Sequence, residues 1–296
     1  MENNIFFTVI IPTYNRAHLI ENTLKSTLEQ TYAYYEIIVV DDGSTDNTEE
    51  IIKSINSKRI VYYKKSNAER GAARNFGTKL AKGNYITFLD SDDVFYPNHL
   101  EVANEIIRKN NFPEIIHLRY EIKKTNGDVI RKMPVCEGNI NTKLIEGNLM
   151  SCQGVFLRKG IAQQNLFSED RELAVMEDWE LWLRLACKYK IHCNNVITSA
   201  IINHDERSVL QTDKNKLIER IDLFMKMVLQ NSEIVSYYKN DLHKFKSSCY
   251  TYVALHLALV KKNKITAIYY LLKGIKVNQK IIFSRRFFAI LKHLVF

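Results

Sequence analysis

The chain has 296 residues, a net charge of +9 and 46% hydrophobic residues, ordinary values for a globular protein able to bury a sizeable core. Its five cysteines (Cys136, Cys152, Cys187, Cys193 and Cys249) are scattered without a C-x-x-C pair, which excludes a disulfide frame or zinc site and leaves reduced thiols. No apolar run reaches the ~20 residues of a spanning helix, and Met1-Glu2-Asn3-Asn4 lacks the basic region of a secretion signal. The positive charge is local. No acidic residue follows Asp241, while eleven Lys and Arg lie between Lys244 and Lys292.

In chain order, Phe7 to Ile11 predicts a strand and His18 to Gln30 a helix. Glu36 to Val40 predicts a strand, and Thr45 to Ile55 a helix capped by Ser44 or Thr45. Ile60 to Tyr63 and Tyr85 to Leu89 read as strands around a helix from Gly71 to Ala81, and Pro97 opens a helix running to Ile107. This alternation implies a mainly parallel sheet flanked by helices, with ligands bound beyond the carboxyl ends of its strands. The middle is mixed, with strands at Ile115 to Lys123, Gly154 to Arg158 and Val196 to Ile202 and a helix from Asp178 to Tyr189. From Lys214 onward the pattern is helical. We therefore expect a domain over 1–210, with halves of about 1–110 and 111–210, and a basic helical region over 211–296.

The informative residues fall at strand ends. Asp90-Ser91-Asp92-Asp93 follows the apolar strand Tyr85 to Leu89, and three carboxylates so close repel one another unless water, basic groups or a cation intervene. Magnesium or manganese, held by carboxylates and substrate phosphates, suits such a cluster; a solvated acidic turn is the alternative. Asp41-Asp42-Gly43-Ser44 ends the second strand, where a carboxylate either binds a nucleoside or caps a helix. In Asn67-x-x-x-Gly71-x-x-Arg74-Asn75-x-Gly77, Arg74 offers a planar fork for a diphosphate, against the alternative of a surface ion pair. Glu177-Asp178 opens a helix as a general base or as acids placed by the helix dipole. Trp179 and Trp182, the two tryptophans, serve either as a sugar-stacking face or as core. His204 ends a strand and is a candidate nitrogen ligand beside the aspartates.

Taken in order, Val9-Ile10-Ile11-Pro12-Thr13-Tyr14-Asn15-Arg16, the Asp41 turn, the Asn67 to Gly77 segment, the Asp90 cluster and Glu177-Asp178 resemble the family 2 glycosyltransferases over residues 6 to 210. The resemblance implies a GT-A fold (Rossmann-like) and metal-dependent, inverting transfer from a nucleotide-activated sugar, UDP being expected. It places Pro12, Thr13, Tyr14, Arg16, Asp42, Arg74, Asp90 and Ser91 at the donor. Asp92, Asp90, Asp93 and His204 would hold Mn2+ or Mg2+, with Asp178 as base beside Glu177 and Trp179 and Trp182 toward the acceptor. One departure is that Glu69-Arg70 stand where the family often has a glycine.

The chemistry matches this set. A cation stabilises the leaving nucleoside diphosphate, one base takes the proton of the attacking hydroxyl, and single displacement needs no nucleophilic carboxylate. The rival readings are a nucleotidyltransferase, which would need a Gly-rich phosphate loop where Phe7 to Arg16 has no glycine, a non-catalytic sugar-nucleotide-binding protein, and a basic nucleic-acid binder, for which no motif is present. In the tail, helical spacing places Phe287, Phe288, Ile290, Leu291, Leu294 and Val295 on one face and Arg285, Arg286, Lys292 and His293 on the other. Packing on the rest of the protein is the simpler reading. The acid-free tail favours instead a cytoplasmic enzyme held peripherally on the inner membrane face, acting on a lipid-linked saccharide for a bacterial surface polysaccharide.

Overall fold

A computed structural model describes residues 4–135, 138–204, 213–260 and 263–295. The chain forms two compact units, Met1–Ile140 with Met150–His204, and Asn141–Leu149 with Asp205–Phe296. The boundary expected near residue 210 lies outside the described residues, as do Cys136 and the Asp205-Glu206-Arg207-Ser208 stretch after His204.

The first unit runs β1 (Phe7–Thr13), α1 (Ala17–Leu28), β2 (Tyr35–Asp41), α2 (Thr48–Ser54), β3 (Ile60–Lys64), α3 (Glu69–Leu80) and β4 (Tyr85–Phe88). It continues through β5 (Val94–Phe95), α4 (His99–Lys109), β6 (Ile115–Lys124), β7 (Val129–Lys132) and the short α5 (Ile140–Lys143), at whose first residue it breaks off. It then resumes with β8 (Val155–Arg158), α6 (Lys159–Gln164), α7 (Glu177–Ala186) and β9 (Ile191–Asn203). One sheet is ordered β3-β2-β1-β4-β8-β6-β9-β5, with β7 on β6.

Strands β3, β2, β1 and β4 are mutually parallel. Every residue of β1 and β2 is buried, which is why both read as continuous apolar runs. Beyond β4 the sheet is mixed: β8 is antiparallel to β4 and β6, while β9 is parallel to β6. Helix α3 lies close on β1 because residue 77 is glycine; a Cβ there would come within 2.6 Å of Ile10 Cγ2. Helix α2 starts later than expected. Asp46 accepts the Thr48 amide at 3.1 Å, and the Ser44 hydroxyl, expected as a cap, accepts the Asn15 amide at 2.9 Å instead.

His99, at the start of α4, is fully buried, stacked on Phe95 with ring centroids 3.8 Å apart and bonded through Nδ1 to Thr198 Oγ1 at 2.8 Å. Burial pushes its pKa down to about 3. The unfolded chain takes up this proton near pH 6.5 and the folded chain only near 3, so the stability is complete above 6.5 and lost as pH falls between the two. Denaturant titrations of the wild type should lose about 1.4 kcal/mol per pH unit more than His99→Gln across that window. Parallel pH profiles would show that the ring is not held neutral.

The second unit contains α8 (Lys214–Gln230), α9 (Ser232–Tyr237), α10 (Leu242–Leu259), α11 (Lys264–Val277) and α12 (Arg285–Val295). The segment Asn141–Leu149, which the sequence reading places in 1–210, joins this unit. Glu146 pairs with Lys244 at 2.9 Å and its carbonyl accepts from Ser248 Oγ at 2.6 Å. Helix α10 forms the centre. Phe245 meets Phe224 of α8 edge-on at 5.4 Å, and Gly274 lets α11 approach closely, since a Cβ there would lie 2.8 Å from Thr251 Cγ2.

The faces expected for α12 need correction. Arg286 does not point to solvent with the other basic residues; its guanidinium donates to the Ser248 carbonyl at 3.0 Å and hydroxyl at 2.8 Å. Of the apolar set, Ile290 is buried while Phe288, Leu291 and Val295 are exposed. The reason is that α12 seats on α10 through Arg286 and Ile290, one turn apart, rather than through its most apolar arc.

Candidate active site

The ends of the parallel strands align, with Thr13, Asp41 and Lys64 in one row across β1, β2 and β3. The loops beyond them are tied together. Asn15, at φ 49°, donates its amide to Ser44 Oγ, and its side-chain oxygen accepts the Thr45 amide at 2.8 Å. Asp41 is wholly buried and accepts from the Ser44 amide and the Tyr62 hydroxyl, each at 2.7 Å, so it shapes the turn. In the β1 loop Pro12 and Thr13 are buried, whereas Tyr14 is exposed and Arg16 half-buried.

The Asp42 carboxylate is 3% exposed, contacts Lys65 Nζ at 2.7 Å and accepts the Ala68 amide on both oxygens at 3.0 and 3.1 Å. These contacts clamp the end of β2 to the start of α3. Glu69, where a glycine is common in the resembling family, has φ 73°, the left-handed region that favours glycine.

Beyond β4, Asp90, Asp92 and Asp93 each offer an oxygen, all within 4.8 Å of one another. Asp92 Oδ2 lies 3.0 Å from His204 Nε2, because β5 pairs with β9 and brings the end of that strand alongside. Asp93 is 1% exposed and one of its oxygens accepts the Ile202 amide at 2.9 Å; Ser91 is buried as well. Hard oxygens with one nearby imidazole fit a divalent cation, with Asp92 and Asp90 the more open donors.

Arg74 connects this cluster to α7. Its guanidinium contacts Asp90 Oδ1 at 2.6 Å and Glu177 Oε1 at 2.8 Å, and the residue is 1% exposed. Burial opposes its charge, and burial also keeps the neighbouring Cys152 a neutral thiol, so the two carboxylates are what hold Arg74 protonated, well above its ordinary pKa. Arg74 is a buried strut between the acidic cluster and α7. Glu177 is 3% exposed and is the partner of Arg74.

Asp178 is half-buried and accepts the Trp179 amide at 2.6 Å. Val175, just before this helix, has φ 81°, a conformation β-branched residues rarely adopt. Trp179 and Trp182 are 3% and 0% exposed, and Trp182 packs edge-on against Phe167 at 5.9 Å. Leu181, Leu183 and Leu185 are buried too, so α7 is enclosed and its tryptophans belong to the core.

The structure also assigns work the motif did not reveal. Asn75 donates to the Phe167 carbonyl at 2.9 Å and accepts the Phe167 amide at 2.9 Å, and a Cβ at Gly71 would lie 2.4 Å from the Ser168 carbonyl. The Asn67 to Gly77 motif thus fastens α3 to the chain leading into α7. Lys65 and Arg171 were missed. Lys65 follows the end of β3, a signal that could have found it; Arg171, bonded to Asn67 Oδ1 at 2.8 Å, carried none. A cleft of about 750 Å3 lined by Tyr85, Arg108, Arg158 and Lys159 lies at the opposite, amino ends of β1 and β4.

The model of the family described as "Glycosyl transferase family 2" matches residues 8–161, so Asp178 and His204 lie beyond the matched stretch. An uncharacterized glycosyltransferase of Rickettsia conorii, RC0461, is 36% identical over 192 residues, 64% of this chain and 31% of that protein. The chain thus spans about a third of that relative's length. The Escherichia coli UDP-Glc:alpha-D-GlcNAc-diphosphoundecaprenol beta-1,3-glucosyltransferase WfgD is 33% identical over 179 residues, 60% of this chain and 68% of that one. A crystal structure of S. aureus TarS 1-349 in complex with UDP-GlcNAc matches with a TM-score of 0.64 at 18% identity, covering 93% of this chain and 92% of that one, a likeness of fold. The α/β sheet is of the GT-A type with helices following it, and the chain belongs to glycosyl transferase family 2.

Proposed function

We propose that this protein is a metal-dependent, inverting glycosyltransferase that moves a hexosyl or N-acetylhexosaminyl group from a UDP-linked donor to a hydroxyl of a lipid-linked saccharide. The product would enter a bacterial surface polysaccharide such as a capsule or O-antigen, and the enzyme would work peripherally on the inner face of the cell membrane. The observation that carries the reading is the Asp90–Arg74–Glu177 network, which sets the acidic cluster of β4 beside the amino end of α7. WfgD, whose name gives a UDP-sugar donor and a diphosphoundecaprenol-linked acceptor, supports the donor and acceptor class.

In this reading Tyr14 and Arg16 offer the open donor-side surface of the β1 loop, and Asp92 and Asp90, with Asp93 and His204 behind them, would hold Mn2+ or Mg2+. A bound cation would offset charge on the departing nucleoside diphosphate. Asp178, at the amino end of α7, takes the proton of the attacking hydroxyl. No helix among the described residues is long and apolar enough to cross a membrane.

A panel of sugar nucleotides incubated with a lipid-linked saccharide acceptor tests this, with nucleoside diphosphate release as readout. Release should require both the acceptor and a divalent cation, and chelator should abolish it and weaken UDP binding. Equal UDP affinity with and without chelator would remove the cation from the reading, and no release with any donor would remove the transferase activity.

A further inference from the structure

Helix α11 is apolar nearly all round. Ala267, Tyr270, Leu271 and Gly274 are buried, and this face lies close on α10 where the Ser247 hydroxyl donates to the Gly274 carbonyl at 2.9 Å. The other face is also apolar and stands bare in this unit. Ile265 is 86% exposed, Ile268 45%, Tyr269 54% and Leu272 59%, and their spacing of three and four residues makes them a single stripe. Apolar stripes of this kind on otherwise polar proteins mark an interaction site.

The surrounding charge selects the occupant. Lys264 and Lys276 flank the stripe and are exposed, and Lys273 sits 4.9 Å from the centre of the Tyr269 ring. No carboxylate occurs anywhere after Asp241. A second copy laid face to face would set lysine against lysine with nothing in this segment to pair them. An anionic lipid bilayer supplies both requirements, an apolar interior for Ile265 and Leu272 and phosphates for the lysines. From Ile265 to Leu272 the stripe is about 11 Å long, which suits a helix lying in the interface plane.

We propose that the exposed stripe of α11 is a docking surface of this protein for an anionic bilayer. This deepens the membrane-surface part of the reading above and rests on it only there. Full-length protein is sedimented with vesicles of phosphatidylcholine alone and of phosphatidylcholine mixed with phosphatidylglycerol, at low and high salt. Binding is expected on the mixed vesicles at low salt, weakened by salt and absent on phosphatidylcholine. Ile265→Glu with Leu272→Glu should lower it more than tenfold, and Lys264→Gln or Lys276→Gln by about fivefold each.

All four positions are exposed, so the variants should keep the wild-type melting temperature. Undiminished binding by the glutamate variant would overturn the proposal, as would absence of binding to the mixed vesicles at low salt. Self-association in the ultracentrifuge that the glutamate variant abolishes, without vesicle binding, would assign the stripe to a second copy instead. Transfer to a water-soluble acceptor in the same preparations keeps failure of this surface separate from failure of the enzyme.

Discussion

Asp178→Asn is expected to lower turnover by about 10²–10⁴-fold while leaving UDP affinity nearly unchanged. The substitution is isosteric, and an amide oxygen can still accept the Trp179 N–H that now bonds to Asp178 Oδ1 at 2.6 Å. What is lost is the ability to take a proton. Asp178 is accessible enough to meet a substrate hydroxyl, whereas its neighbour Glu177 is buried against Arg74. Steady-state kinetics with a saturating donor, paired with UDP titration of the same variant, separates chemistry from binding. Transfer at the wild-type rate would remove Asp178 as base. A joint collapse of rate, UDP affinity and melting temperature would show that its role is to hold the start of α7.

Arg74→Leu should have the largest effect on stability, because it removes the guanidinium bonded to two carboxylates at once and leaves Glu177 only the longer contact with Arg70 Nε at 4.0 Å. Glu177 is almost fully enclosed, and leaving one partner of a buried ion pair uncompensated typically destabilises by about 3–5 kcal/mol. In a protein of this size that corresponds to a fall of roughly 5–8 °C in melting temperature. Adding Glu177→Gln to the Arg74→Leu variant should recover part of the loss, since the second change removes the stranded charge. A solvent-facing arginine that grips a diphosphate would behave differently: Arg74→Leu would melt normally and bind UDP weakly. Denaturant titration of the two single variants and the double variant, alongside UDP titration, tells the two apart.

The alternating elements of the first unit were legible because their signals are local. Phe7 to Thr13 and Tyr35 to Asp41 carry continuous apolar runs since both faces of their strands are covered, and the acidic clusters appear where those runs stop. That Asp90, Asp92 and Asp93 lie together was equally readable, all three falling within one four-residue turn. The burial of Trp179 and Trp182 was not readable. A tryptophan at the start of an amphipathic pattern looks the same whether it faces core or substrate, and only the packing of Phe167 against Trp182 decides. The same holds for α12, where periodicity showed an apolar arc but could not show that α10 would receive Arg286.

By itself the sequence determined the alternation of strands and helices from β1 to β4, the strand ends that carry carboxylates, the family, and the concentration of cations after Asp241. These follow from side-chain period, turn chemistry and composition, which act within a few residues of one another. Only the tertiary structure decided what each charge faces. Arg74 meets Asp90 16 residues away and Glu177 103 residues away, and Asp92 meets His204 across 112 residues. A guanidinium open to a diphosphate and one sealed between two carboxylates have the same local sequence. Long-range contacts determine which of the two Arg74 is, since they exclude water from it and bring the carboxylates that keep it charged.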